Sequence, residues 1–491
     1  MTAASVAPVV ATAALERRAS ARLAWLRERG MGASIVVSAL AAAFGVILVE
    51  VTAYIGAMLQ SDPYIGDSGT LALVVAILAV LLTGVAMYVA AIVTANTFST
   101  IIAGRTRRIA LMRLIGASAR SQRAEVTGQG FAVGVIGALL GLLVGVGFSG
   151  VGMLIGDSLL PLVPHEFTLA QPGIALPAVG VVLTTWLAAG IGSRRVLAVT
   201  PLQALGGSVE RSHGEVAARS GRHIGALVLI IAGVALLAAG VLLGLVTPLG
   251  VVVAFFGGVL SFTGLATGAV LVMPPILRLV GRLFGTGATA RLAAENALRH
   301  PERSSRMAIG VVMGVTLVTM FAVALESTKA LMSRQADEQM LKDTFAVLDA
   351  FAAVMMVLVA VSGVIAAVGL VNLLTIGVVQ RTRELGLLRA IGLTGPQVRR
   401  MVLLEAVHIT VAATLTGLVL GIGYGWVAAQ SLLGAVPVLP DFEPAGLVYP
   451  AVPWLPVVII VVATAVLTVI AAVAPTRLAT RVTPVEALAV D

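Results

Sequence analysis

The chain is predicted to be an all-α polytopic membrane protein with about ten transmembrane helices, arranged as two parallel four-helix repeats around a central two-helix hairpin. Three observations carry that prediction. Hydrophobic residues make up 59% of the 491 residues and the mean hydropathy is +1.06, values that exclude a soluble globular protein. The basic residues are clustered: all but three of the 32 Lys and Arg side chains fall within 1–34, 98–125, 192–223, 278–307, 380–400 and 475–491. The other three, Lys329, Arg334 and Lys342, share one predicted loop. By the positive-inside rule the six segments and both termini are cytoplasmic, so the net charge of +9 calls for no nucleic-acid partner. Finally, the chain is internally duplicated. RTRRIALMRLIGAS at 105–118 matches RTRELGLLRAIGLT at 381–394 at seven of fourteen positions. A constant offset of 276 relates the copies from Met31/Met307 to Gly145/Gly421, and at an offset of 283 TPLQAL (200–205) matches TPVEAL (483–488).

The elements follow in order. Residues 1–32 form a cytoplasmic amphipathic lead-in, with LERRASARLAWLRERG (15–30) lying on the inner membrane surface. Residues 1–14 precede the basic residues and are too short to read as a cleaved signal peptide. The first repeat, 33–206, has spans at about 33–58, 70–100, 126–155 and 173–192. In its third span Gly134, Gly137, Gly141 and Gly145 offer a small-residue face for close helix packing. A polar cytoplasmic linker, 207–222, leads to the hairpin, 223–284, whose spans at about 223–246 and 249–280 meet at Thr247-Pro248. The hairpin has no twin. It returns the chain to the cytoplasm, so the second repeat, 285–491, inserts in the same orientation as the first. That repeat has its own lead-in (290–306) and spans at about 307–327, 345–379, 401–430 and 450–474. Several spans exceed the ~20 residues a bilayer requires, so they tilt or project beyond it.

The stretch 380–405, QRTRELGLLRAIGLTGPQVRRMVLLE, stands between two apolar runs. As a helix it places Leu385, Leu388 and Ile391 on one side, with Arg381, Glu384 and Arg389 around it, until Gly392 and Gly395-Pro396 break it. A short amphipathic helix held between two spans can carry a push from a soluble partner into the bilayer.

Few residues suggest chemistry. The chain has no cysteine, no phosphate-binding G-x-x-x-x-G-K-[ST] loop, no H-E-x-x-H and no G-x-S-x-G. No catalytic residue, metal site or cofactor is therefore expected of this chain, and His408 reads as a packed or hydrogen-bonded residue. Glu50 and Glu326 stand at matched positions about twenty residues into the first apolar run of each copy. With Asp349 they are candidates for an outer cavity that meets a cationic or amphipathic substrate, since an ionisable group inside a span is costly. The competing reading makes Glu326 an interfacial residue that reaches outward from beside a polar loop. Asn96 and Asn372 are expected to hydrogen-bond between helices, and Gln129 and Glu405 to anchor the heads of the third spans.

NLLTIGVVQRTRELGLLRAIG (372–392), the acidic Glu405 a dozen positions on and the closing TPVEAL resemble the signature of FtsX-like permeases, the membrane subunits of MacB-type (type VII) ABC transporters. The resemblance covers roughly 30–206 and 290–491. It implies two copies of a separate ABC ATP-binding subunit, which hold ATP and Mg and make this chain a non-catalytic subunit. Their contacts would fall on Arg105, Arg107, Arg108, Arg113 and Gly116 in one copy and Arg381, Arg383, Glu384, Gly386, Arg389 and Gly392 in the other. The first copy departs from the family pattern, with Arg108 and Ala110 where the second has Glu384 and Gly386. A larger departure is the outer surface. The family's first loop usually carries a large extracytoplasmic domain, but here it is predicted to be about a dozen residues in one copy and about eighteen (327–344) in the other. The expected function is thus a permease of a bacterial cytoplasmic membrane. It would export or extract a membrane-derived substrate (lipid, lipopeptide, drug or antimicrobial peptide), with membrane lipid and a small membrane or extracellular protein as further partners. The alternative is a complex that transmits force to a cell-wall enzyme or sensor without transport.

Overall fold

The computed structural model describes residues 31–60, parts of 76–95, 111–112, 114, 116, 118–159, 168–169, 171–197, 220–283, 287–299, 301–333, 378, 382–438 and 443–481. They fold into α1 (Met31–Gln60), α2 (Ala119–Leu159), α3 (Ala175–Leu197), α4 (Ser220–Gly244), α5 (Gly250–Thr267), α6 (Ala269–Gly281), α7 (Ala288–Arg299), α8 (Pro301–Met332), α9 (Thr382–Ala390), α10 (Gly395–Leu433) and α11 (Trp454–Arg481). One antiparallel pair, β1 (Pro437–Val438) and β2 (Glu443–Pro444), lies between the last two helices. Eight helical stretches among the described residues are long and apolar enough to cross a bilayer, and a shorter apolar helix covers Ala79–Val89. The chain is a multi-pass membrane protein. Of the ten predicted spans, the second of each repeat (about 70–100 and 345–379) falls largely outside the described residues, as does the 15–30 lead-in.

Several helices run past their predicted ends. Those of α2 and α10 hold 41 and 39 residues, about 60 Å each at 1.5 Å per residue and twice the ~30 Å hydrocarbon core. Their extra turns carry Arg120, Arg123 and Glu125, or Arg399 and Arg400, so they project from the basic end of the bundle. Nothing in these polar turns breaks a helix, and a hydropathy pattern registers only the part in lipid. For the same reason α8 continues to Met332. Ser327–Met332, predicted as loop, is helical, and Glu326 lies inside a helix rather than beside a turn. The hairpin corrects the prediction in the other direction. Its second member is two helices, α5 and α6, divided at Gly268. The Thr267 hydroxyl donates to the carbonyls of Thr263 and Gly264, a contact that bends helices, and α6 carries Pro274 and Pro275.

Glycine sets the closest contacts. A Cβ on Gly141 of α2 would lie 2.5 Å from both the Ala39 carbonyl and the Ala42 Cβ of α1, and one on Gly145 would lie 2.7 Å from the Val46 Cβ. Gly134, grouped with these by spacing, instead faces Val182 and Thr185 of α3. In the second copy Gly417, Gly421 and Gly425 of α10 meet Val315, Thr319 and Met320 of α8 at 2.5–2.7 Å. In both pairs the contacts climb together along the two chains, so the helices run parallel. The registers differ. Gly141 touches the carbonyl of residue 39, whereas the matched Gly417 touches that of 312, which corresponds to 36. Gly145 and Gly421 show the same displacement (Ala43 against Thr316). The third helix of the second copy is thus slipped by three residues, about one turn, toward the basic end.

The main hydrophobic core among the described residues draws on Phe44 and Leu48 of α1, Leu82 and Val89, Phe262 of α5, Met273 and Leu277 of α6, Met307 and Val312 of α8, and Ile409 and Ala413 of α10. α3 packs on α2, and α11 packs on α10.

The glycine contacts are testable. Gly421→Val is expected to destabilise the purified protein by about 1–3 kcal/mol, because overpacking displaces Thr319 and its neighbours. Gly423→Ala, on the same helix with open space around it, should not lower the thermal midpoint in detergent.

Candidate functional site

At the basic end of the bundle α9 turns into α10 through a compact elbow. The α9 helix ends in a Schellman motif: the Leu393 N–H donates to the Leu388 carbonyl at 3.0 Å and the Gly392 N–H to the Arg389 carbonyl at 3.1 Å. That geometry puts Gly392 at φ +114°, a region that disfavours any side chain. Thr394 then starts α10 as its N-cap, its N–H donating to Gln397 Oε1 at 2.8 Å and its hydroxyl to the same oxygen at 3.0 Å. The described residues of the first copy share the left-handed glycine and the hydroxyl cap. Gly116 is at φ +103°, and Ser118, matched to Thr394, accepts from the Ser121 N–H at 3.1 Å. The two caps are structural elements of the elbows that spacing alone had not singled out, although an S/T residue after each glycine was the available signal.

The elbow is held by its own core of Leu385, Val398, Met401, Val402, Val378 and Ala293 of α7, with Leu388 and Leu393 packed against it. Ile391 was predicted to share the face of Leu385 and Leu388. It is 72% exposed, because the helix has ended by that residue and the chain is turning. Glu384, Leu387, Ile391, Arg399 and Arg400 form the outward surface, Arg389 is half-buried and Gly386 is buried. Leu111, the match of Leu387, is likewise exposed. Arg383 falls within α9, while Arg105, Arg107, Arg108, Arg113 and Arg381 lie outside the described residues.

Behind the elbow, polar contacts tie α10 to its neighbours. Asn296 of α7 donates to Glu405 Oε2 at 2.6 Å, and His408 Nε2 lies 2.7 Å from the Leu277 carbonyl of α6. Glu405 was predicted to head its span as an interfacial anchor. It is buried ten residues into α10, where it joins two helices. Gln129 stands equally far into α2 and donates to Glu125 of its own helix at 3.4 Å.

The matched intramembrane acids have unlike surroundings. Glu50 is 1% exposed among core residues Ile47, Leu48 and Val51, whereas Glu326 is half-buried, next to a Ser327 hydroxyl that accepts from the Ala451 N–H at 3.1 Å. Asp349, Asn96 and Asn372 lie outside the described residues. Among the described residues no group of three His, Asp or Glu side chains converges to hold a metal.

A sequence model of the FtsX-like permease C-terminal family matches the chain twice, over 80–201 and 356–484, together just over half its length. Each match contains one elbow and the long helix that follows it. Two similar proteins come from Bacillus subtilis (strain 168). The uncharacterized ABC transporter permease YknZ is 32% identical over 83 residues, 17% of this chain and 20% of the relative. The ABC transporter permease YtrF is 29% identical over 127 residues, 26% of this chain and 29% of the relative. The aligned part spans less than a third of either relative's length.

The elbow geometry leads to a local prediction. Thr394→Ala removes a cap that contributes about 1 kcal/mol. Amide hydrogen exchange over 382–400 should quicken roughly fivefold while that of the α5 core is unchanged.

Proposed function

Because the chain belongs to the FtsX-like permease family, we propose that it is the membrane subunit of a MacB-type ABC transporter, built as a ten-span duplicated form with parallel repeats. It sits in a bacterial cytoplasmic membrane with both termini inside. Each elbow docks one copy of a separate ATP-binding subunit, which holds ATP and Mg; this chain contributes no catalytic group. The observation that carries the reading is the pair of elbows, alike in their left-handed glycine and hydroxyl cap, one inside each family match.

The geometry supports a mechanical role. Exposed Leu387 and Ile391, and Leu111 in the other copy, are apolar side chains at a surface that also carries Glu384, Arg399 and Arg400. Such a patch fits a cleft in a protein partner, with the charges setting orientation. The elbow core makes α9 and the start of α10 one rigid piece, so closure of two ATP-binding subunits would tilt α10, and likewise α2, as levers projecting from the bilayer. Their parallel, glycine-lined contacts would carry the motion to α8 and α1. The substrate we propose is a membrane-derived amphipath, because the short predicted outer loops provide no large extracytoplasmic receptor. Arg108 and Glu384 give the two docking surfaces opposite charge at a matched position, so the two ATP-binding subunits would be held unequally.

Leu387→Glu would put a charge where about 1.5–3 kcal/mol of apolar burial is expected, weakening one of the two contacts at least tenfold. Tagged chain carrying Leu387→Glu should retain about half of the ATP-binding subunit, and Leu111→Glu with Leu387→Glu almost none. Full retention by the double variant would overturn the docking assignment. Stimulation of ATP hydrolysis by a lipid or lipopeptide would then separate transport from force transmission to a cell-wall enzyme.

A further inference from the structure

The hairpin has no counterpart in the duplication, and it is bonded to both copies. Phe255, Val259 and Thr263 lie four residues apart on one stripe of α5. A Cβ on Gly84 of the first copy would lie 2.8 Å from the Phe255 ring, and the Tyr88 hydroxyl reaches Thr263 Oγ1 at 2.8 Å and the Val259 carbonyl at 3.1 Å. Ser261, about 200° round the helix from Thr263, reaches the Tyr424 hydroxyl of α10 in the second copy at 2.9 Å. Farther along, a Cβ on Gly244 would lie 2.5 Å from the Ser431 Cα. Toward the basic end Ser305 of α8 donates to the Ala269 carbonyl at 3.1 Å, and His408 meets that of Leu277. The hairpin is thus tied in through much of the depth of the bilayer.

The matched face of the first copy is built differently. Carried on along the same two unbroken helices beyond Gly145/Gly421, the 276-residue offset pairs Tyr424, Gln430 and Ser431 of α10 with Phe148, Leu154 and Ile155 of α2. Gln430 and Ser431 are buried, whereas Phe148 is 45% and Leu154 73% exposed, with Val151 and Ile155 exposed between and beside them. One face is polar and covered; the other is apolar and bare. We infer that the hairpin is a fixed seal over one side of the bundle, staying in place while the rest of the membrane domain moves. Lifting the hairpin would strand the Tyr88 and Tyr424 hydroxyls in hydrocarbon, where no lipid tail replaces their partners, while Ser261 and Thr263 keep the Gly258 and Val259 carbonyls of their own helix. The seal follows from the geometry alone, while its staying fixed during turnover rests on the permease reading.

The chain contains no cysteine, so single-cysteine variants of the full protein can be labelled directly. Nitroxide would be attached at Phe148→Cys, Val151→Cys, Tyr424→Cys and Val427→Cys in phosphatidylcholine/phosphatidylglycerol vesicles, and oxygen collision rates measured. The expected rates are several-fold higher at 148 and 151 than at 424 and 427; equal rates would overturn the seal. In the second arm Tyr88→Cys and Thr263→Cys are bridged by a short bifunctional thiosulfonate, in chain co-purified with its ATP-binding subunit. Basal ATP hydrolysis in the same vesicles should stay within twofold of the unbridged protein. Loss of hydrolysis on bridging would make the hairpin a moving gate and overturn the inference. A chain that recruits no ATP-binding subunit would instead sink the permease reading, with the oxygen measurement still deciding the seal.

Discussion

The contact between the first and third long helices of each copy is the constraint on which the remaining structure depends. In lipid the association of helices gains nothing from leaving water, so it relies on close backbone approach and a few hydrogen bonds. Gly141 and Gly145 against α1, and Gly417, Gly421 and Gly425 against α8, leave no room even for a methyl group. Each long helix is thereby fixed to a parallel neighbour, and its polar turns project from the bilayer as a stiff arm. The elbow can act as a lever only because the arm behind it is held in this way.

Around that constraint the two copies are unequal. The second copy is slipped by about one turn, and its long helix is loaded on several sides: Asn296 on Glu405, the Leu277 carbonyl on His408, and Ser261 on Tyr424. Gln430 is held at the outer end, where its Nε2 donates to the Gly446 carbonyl and its Oε1 accepts from the Val448 N–H, at 2.8 and 2.7 Å. On α2 the residues matched to Tyr424, Gln430 and Ser431 are apolar and uncovered. The duplication therefore supplies two similar arms, and the hairpin, α7 and the outer loop bear on the second.

Much of this was legible in the sequence. Hydropathy and charge clustering located the eight spans found among the described residues, and the repeated RTRxxxLxRxIG stretch located both elbows. The glycine row read correctly as packing, except that Gly134 serves α3. What stayed hidden has physical causes. Helix ends were underestimated because polar turns without Gly or Pro continue a helix beyond the lipid, as at 119–125, 397–400 and 327–332. Ile391 was misplaced because a left-handed glycine ends helical periodicity one residue before it. The unlike burial of Glu50 and Glu326 depends on neighbours from elsewhere in the chain, and the Tyr88–Thr263 and Tyr424–Ser261 bonds join residues more than 160 positions apart. No local pattern announces such pairs.

The central claim is that the two elbows each hold one ATP-binding subunit. Native mass spectrometry of the complex, extracted from its own membranes through a tag on this chain, tests it most directly. One chain with two ATP-binding subunits is expected, with partial dissociation to a one-to-one species as ionic strength rises, since the two docking surfaces differ in charge. A chain recovered alone, under conditions that preserve its fold, would contradict it.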